Sequence, residues 1–206
     1  LDAENDYRKQ MMKPTEKLQE TLYQEITGRI KQDDSSVPVT VNGYTYYTRF
    51  EQGQDYPYYC RKKAGDNSNE EVMLDVPKMA EGYAYYAVGR RSVSENNKIL
   101  AYTVDTVSRR EYTLYFKNLE TGEILSDKIK NTDGGVTWAN DNKTVFYTRK
   151  DETLRAFKIF KHKLDKTQAD IEIYHEQDET FSGDVYKTKS QKYIVIGAYA
   201  TVSNEY

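Results

Sequence analysis

A serine nucleophile of the α/β-hydrolase kind needs a Gly-x-Ser-x-Gly elbow, with an acid and a histidine further along the chain. No such elbow occurs in the 206 residues; Gly89-Arg-Arg-Ser92 and Phe181-Ser-Gly183 are the nearest serine–glycine neighbourhoods, and neither fits. The two histidines stand apart, and His162 falls between Lys161 and Lys163 in a stretch that reads as strand. Both His162 and His175 are expected to be surface or partly packed residues. One cysteine, Cys60, and two dispersed histidines give no zinc-ligand spacing. The acidic pairs Asp33-Asp34, Glu70-Glu71 and Asp178-Glu179 lack a calcium-loop pattern, and no phosphate-cradling glycine loop is present. No catalytic residue, metal or cofactor is therefore expected in this stretch. Asn142-Lys-Thr144 fits a glycosylation sequon but reads as turn chemistry.

The basic and aromatic stretch Arg149–Lys163 has two readings. Aromatics interleaved with Lys and Arg can form a platform for single-stranded nucleic acid. The alternation of Phe157, Ile159 and Phe160 with Lys158, Lys161 and Lys163 is closer to a strand with one buried face, and that reading is preferred. Arg149, Asp151 and Arg155 surround a strand-to-strand loop; they are candidate interface charges, and exposed loop charge is the plain alternative.

Thirty basic residues against 33 acidic give a formal net charge of −3. That balance disfavours a nucleic-acid partner, because phosphate neutralisation normally shows as a basic excess or stripe. The apolar runs are short, Tyr193–Ala200 among the longest, so no membrane span is expected. The acidic start Leu1–Asp6 does not resemble a secretory leader. With a single cysteine, this points to a reducing, cytoplasmic setting. Tyrosine accounts for 20 residues, which suits half-buried strands whose rings pack on the pleat while the hydroxyl reaches water.

Residues 2 to about 32 read as helix, with Leu18, Leu22, Ile26 and Ile30 at four-residue spacing. Pro14 is expected to divide a short helix from a longer one. Asp33-Asp34-Ser35-Ser36 and Pro38 break the pattern. From Val37 the period changes to strand, punctuated by turn clusters at Asn42-Gly43, Gly65-Asp66-Asn67, Glu95-Asn96-Asn97, Glu120-Thr121-Gly122, Asp133-Gly134-Gly135 and Asn140-Asp141-Asn142.

An internal repeat orders these strands. Val93–Thr103 (VSENNKILAYT) aligns with Trp138–Thr148 (WANDNKTVFYT); a weaker copy is Lys187–Gly197 and an abbreviated one Val41–Thr48. Lysines 98, 143 and 192 recur at the length of a four-stranded propeller blade. One repeat is expected to run Thr137–Ala139 innermost, then Thr144–Arg149, Ala156–His162 and Ile171–Tyr174 outermost. A sandwich with coincidental spacing is the competing reading. The expected division is a helical arm, 1–36, and a partial β-propeller, 37–206, with approximate blades 37–81, 82–130, 131–178 and an incomplete 179–206. Three blades and part of a fourth are too few to close a ring.

Several stretches carry a resemblance: Arg29–Pro38, Tyr46–Gly53 running on to Tyr56–Arg61, Glu70–Asp75, Leu100–Asp105, Trp138–Thr144 with Phe146–Arg149, and Thr153–Arg155. Together, in order and over almost the whole chain, they resemble the oligopeptidase B (protease II) branch of the prolyl oligopeptidase family of serine peptidases. The resemblance implies a seven-bladed propeller, of which this would be the first part, beside an α/β-hydrolase domain that forms an acyl-enzyme and cleaves short peptides after Arg or Lys. It implies that the arm packs on the hydrolase domain and that the ring acts as a size filter. The expected partners are thus the hydrolase domain and, for the intact enzyme, short basic peptides; the stretch by itself is expected to be inactive and to self-associate. Charged loops on the face toward the hydrolase domain can hold a closed form, and Arg149 or Arg155 is expected to bridge the two domains. One departure stands at Ala156-Phe157, where the family tends to have Pro-Tyr. A stand-alone propeller serving as an interaction scaffold is the alternative function, since the fold alone hosts many.

Overall fold

The computed structural model describes residues 1–65, 69–165 and 169–206; the turn read at Gly65-Asp66-Asn67 lies partly outside them. The chain begins as α1 (Asp2–Met12) and α2 (Glu16–Gly28), separated by a 3₁₀ turn at Lys13–Thr15. Pro14 sits in that turn because it has no N–H to continue the α-helical ladder. Within α2, Gln24 donates to Glu20 (2.8 Å) and Arg29 pairs with Glu25, each one turn apart. Neither helix buries a side chain. The apolar stripe is left bare, with Leu18 57%, Leu22 45% and Ile26 59% exposed.

Four antiparallel sheets follow, one per blade, the second and third joined into a single hydrogen-bonded ladder where Arg149 pairs with Thr132. In the first, β1 (Asp34–Ser35) and β2 (Val39–Val41) both pair with β3 (Tyr44–Phe50), which pairs with β4 (Tyr58–Lys63) and then β5 (Glu71–Asp75). A one-turn helix, α3 (Val76–Met79), leads onward; the Asp75 carboxylate caps it by accepting from Lys78 N at 3.1 Å. The second sheet is β6 (Ala87–Val93), β7 (Ile99–Asp105), β8 (Tyr112–Asn118) and β9 (Ile124–Thr132). The third is β10 (Thr137–Trp138), β11 (Thr144–Lys150), β12 (Ala156–Lys163) and β13 (Ile171–His175), the order read from the repeat. The fourth contains β14 (Ser182–Lys187), β15 (Ile194–Tyr199) and a short third strand, β16 (Asn204–Glu205). The architecture is an arc of a β-propeller behind a helical arm.

The repeated lysines mark one hairpin built three times. Ser94 N bonds Ile99 O (2.9 Å), Ala139 N bonds Thr144 O (2.8 Å) and Thr188 N bonds Tyr193 O (2.9 Å). Just before each lysine stands a left-handed residue: Asn97 (φ 62°), Asn142 (φ 59°) and Gln191 (φ 61°). Asparagine tolerates that conformation better than most residues, which explains its recurrence. The abbreviated copy turns through Asn42 and Gly43, both with positive φ (48° and 77°), as a two-residue hairpin requires.

The core lies between sheets. Leu100, Tyr102 and Val104 of β7 face the first sheet, meeting Met73, Leu74, Val76 and Tyr86. Ala101 faces the other way, with Leu114, Phe116, Val136, Trp138, Val145 and Tyr147. A strand buried on both sides reads as a nearly continuous apolar run, as Ile99–Asp105 does. Trp138 Nε1 donates to Ser92 O (3.0 Å), Lys117 Nζ to Met73 O (2.8 Å) and Thr137 Oγ1 to Val185 O (2.8 Å), so each interface also carries a polar tie.

Candidate interdomain site

The four inner hairpins contact one another in series. Asn42 Nδ2 donates to Glu95 O (2.6 Å), Asn97 Nδ2 to Asn42 O (3.1 Å), Asn96 N to Asn142 Oδ1 (2.8 Å) and Asn140 Nδ2 to Gln191 O (3.0 Å). They therefore share one rim. The connections at the opposite strand ends, 51–57, 106–111 and 151–155, share the other, and Lys150 Nζ reaches Arg110 O there at 2.6 Å. The helical arm departs from this second rim, because Asp34 pairs with Phe50 and the Asp33 carboxylate accepts from Gln52 N at 2.7 Å.

Asp151 and Arg155 stand together on this rim. Asp151 Oδ1 accepts from Thr153 Oγ1 (2.6 Å), Thr153 N (3.0 Å) and Arg155 N (3.0 Å), while Oδ2 takes Arg155 Nε (3.0 Å). The Thr153 hydroxyl and these other donors hold the Asp151 carboxyl below its usual range. Arg155 Nη1 also donates to Asp178 O (3.0 Å) and Phe181 O (2.9 Å), tying the loop to the connection between the third and fourth sheets. Asp151 thereby fastens a loop that passes through left-handed Leu154 (φ 67°). Asp105 does the same one sheet earlier, accepting from Val107 N (2.7 Å), Ser108 N (3.1 Å) and Arg110 N (2.7 Å).

Arg149 stands apart from this pair. A bulge between Arg149 and Lys150 shifts the β11–β12 register. The Arg149 guanidinium lies 4.7 Å from the Phe160 ring centroid and 5.7 Å from that of Tyr147, and Nη2 donates to Tyr147 OH at 3.3 Å. It lines a recess of about 370 Å³ with Lys128, His162 and Asp170.

In that recess is a cluster the sequence did not reveal. His162 is 8% exposed, with Nδ1 2.6 Å from Asp170 Oδ1 and Nε2 3.0 Å from Asp127 Oδ1. Its ring stacks on Phe116 at 5.8 Å, and Tyr147 OH donates to the second Asp170 oxygen at 2.6 Å. His162 is thus packed inside, joining β12 to β9. Its partners lie 35 and 8 residues away, so no local pattern announces them. His175, by contrast, is exposed and meets Phe157 edge-on at 5.3 Å. Among the described residues no group of His, Cys, Asp and Glu is arranged to hold a metal.

An arc of antiparallel blades stitched at one rim, with an arm leaving the other and a reactive-serine elbow nowhere in the sequence, defines a propeller domain. Residues 1–206 match the family described as prolyl oligopeptidase, N-terminal beta-propeller domain, and the chain belongs to that family. It is 40% identical over its full length to dipeptidyl aminopeptidase BI of Pseudoxanthomonas mexicana and 31% identical to protease 2 of Moraxella lacunata. It spans 31% of the length of each of these relatives. Among solved structures, oligopeptidase B from Leishmania major superposes with a TM-score of 0.85 at 33% identity, covering 93% of this chain and 28% of that one. Oligopeptidase B from Trypanosoma brucei, in a closed form with covalently bound antipain, superposes at 0.84 with 29% identity, covering 95% and 28%. Members of the family are serine peptidases that carry a hydrolase domain in the same chain and act on peptides.

Proposed function

We propose that residues 1–206 are the non-catalytic, substrate-gating part of a serine oligopeptidase that cleaves short peptides after Arg or Lys in the cytoplasm. In this reading residues 1–36 are the arm and 37–206 the first part of the ring. The observation that carries it is the unbroken match to oligopeptidase B along a chain whose apolar groups go into blade-to-blade packing. Rigid blades exclude folded chains by bulk and need no affinity for them. The rim that bears Asp151 and Arg155 is the one from which the arm departs, so an arm that packs on the hydrolase domain brings that domain to this rim. Arg149 or Arg155 then bridges the two domains in the closed form.

A second reading is favoured by the 40% identity to a dipeptidyl aminopeptidase: release of dipeptides from a free amino end. One experiment separates the two. The full-length protein is assayed on a peptide amide with Arg at the cleaved bond, with the amino terminus blocked or free. Cleavage of the blocked form after Arg or Lys supports the endopeptidase; cleavage of the free form alone supports the aminopeptidase. Hydrolysis of neither by the full-length protein overturns the peptidase reading in favour of a scaffold.

A further inference from the structure

The inner wall of the arc is a different surface from the rim just described. It bounds a concavity of about 940 Å³ whose charged lining is Arg90, Arg91, Lys187 and Lys189 against Glu95 alone. Glu95 is already engaged, 2.5 Å from Lys187 Nζ.

Arg90 is placed there by the backbone. Val88 pairs with Val104 and Arg91 with Tyr102, so Gly89 and Arg90 together oppose Thr103 in a bulge of β6. Only glycine fits at 89: a Cβ would stand 2.5 Å from Thr103 Oγ1 and 2.8 Å from Tyr112 Cε1. Such bulges re-aim a side chain, and Arg90 is exposed, its guanidinium without ion pair or hydrogen bond among the described residues. Arg91 lies 3.7 Å over the Tyr59 ring and bonds Gly89 O at 2.8 Å. Lys189, in the hairpin after β14, is exposed and likewise without a partner among the described residues.

On the other side of Arg90, Asp133 and Asp184 line a smaller recess with it, of about 270 Å³. Charge therefore changes sign along the wall: carboxylates at the strand starts, near the arm-side rim, and cations toward the hairpin rim. An extended peptide carries the same pattern, with an ammonium at one end and a carboxylate at the other.

We propose that this wall binds the free C-terminal carboxylate of a peptide, received by Arg90 and Lys189. It rests on the peptidase reading and deepens it: the substrate class is peptides with an unblocked carboxyl end, held amino end toward the arm-side rim. The attraction acts between exposed charges and is screened by salt.

The test is equilibrium binding of a labelled hexapeptide of D-residues, as free acid and as amide, to the full-length protein at low salt. The free acid is expected to bind about fivefold tighter than the amide. The preference should vanish at about 0.5 M salt and in the R90Q/K189Q double variant. Equal affinity of acid and amide in the unmodified protein overturns the proposal, as does a preference that survives in the double variant. Hydrolysis of a short chromogenic amide is read separately. Acid preference without hydrolysis supports this site and overturns the peptidase reading; hydrolysis without acid preference overturns this site alone.

Discussion

His162 Nδ1 lies 2.6 Å from Asp170 Oδ1 while the opposite ring nitrogen lies 3.0 Å from Asp127, so one imidazole clamps β9 and the approach to β13 onto β12. Removing it leaves two carboxylates facing a vacated, largely enclosed space, with side-chain exposures of only 8% and 17%. His162→Ala is expected to cost about 3 kcal/mol in urea unfolding of the domain. The double change H162A/D127A should cost less than the sum of the two single changes, because the carboxylate loses its partner only once. Additive costs would show that the clamp carries no coupling.

Asp133 gives a pH dependence of unusual sign. Burial raises its pKa, and neighbouring Asp184 adds to this, against the opposing bond from Gly135 N at 2.7 Å. The folded chain then holds this proton at pH values where the unfolded chain has released it. Stability falls as pH rises from about 4, the usual aspartate range, through the folded value. Asp133→Asn keeps an acceptor for Gly135 N and removes the charge. Its melting temperature should match that of the unmodified protein at the acid end and exceed it at pH 7; a constant difference across the range would exclude this origin.

The helix break at Pro14 and the register of three hairpins were legible because each rests on local chemistry. Proline ends a ladder, and Asn97 and Asn142 accept a left-handed turn wherever the fold places them. The strand order of the third sheet followed from period alone. The His162 clamp was not legible, because its carboxylates arrive from β9 and from the segment before β13. Arg149 and Arg155 look equivalent in sequence, six positions apart across one loop. The bulge at Arg149/Lys150 sends them to different surroundings, an aromatic recess and a carboxylate-fastened loop. The loop itself shows a limit of composition: Asp151 reads as exposed charge, yet it accepts four hydrogen bonds.

Cys60 should be inert in the folded protein. It is fully buried in β4, and burial together with nearby Glu70 pushes its thiol up to about 12. The thiolate is the reactive form, so an aromatic disulfide reagent at pH 8 is expected to find no thiol in native 1–206 and one per chain after unfolding. Rapid modification of the native protein would mean that the first sheet opens locally.

Produced alone, residues 1–206 should self-associate. Val37 (85% exposed), Val39 (59%) and Val41 (55%) lie uncovered along the first sheet, and Tyr193 (67%) and Val202 (94%) along the fourth. These are apolar groups beside strands with unpaired edges, which favours pairing with another copy. Sedimentation should show a mass above 24.1 kDa that rises with concentration. A monomer at every concentration would contradict this.

Charge reversal tests the rim in the full-length protein. Arg155→Glu sets two carboxylates against each other at a pair now 3.0 Å apart and also withdraws the bonds to Asp178 O and Phe181 O. Arg149→Glu removes a cation that lies over Phe160 without disturbing that loop. If both arginines hold the closed form, each variant should raise KM several-fold on a short Arg peptide, by ~1 kcal/mol of lost closure, as expected for a partly exposed pair. The effect should shrink at high salt, where the unmodified contacts are already screened. An increase for Arg155→Glu alone would trace the effect to the loop rather than to the domain interface, whereas unchanged kinetics in both variants would remove the bridge altogether.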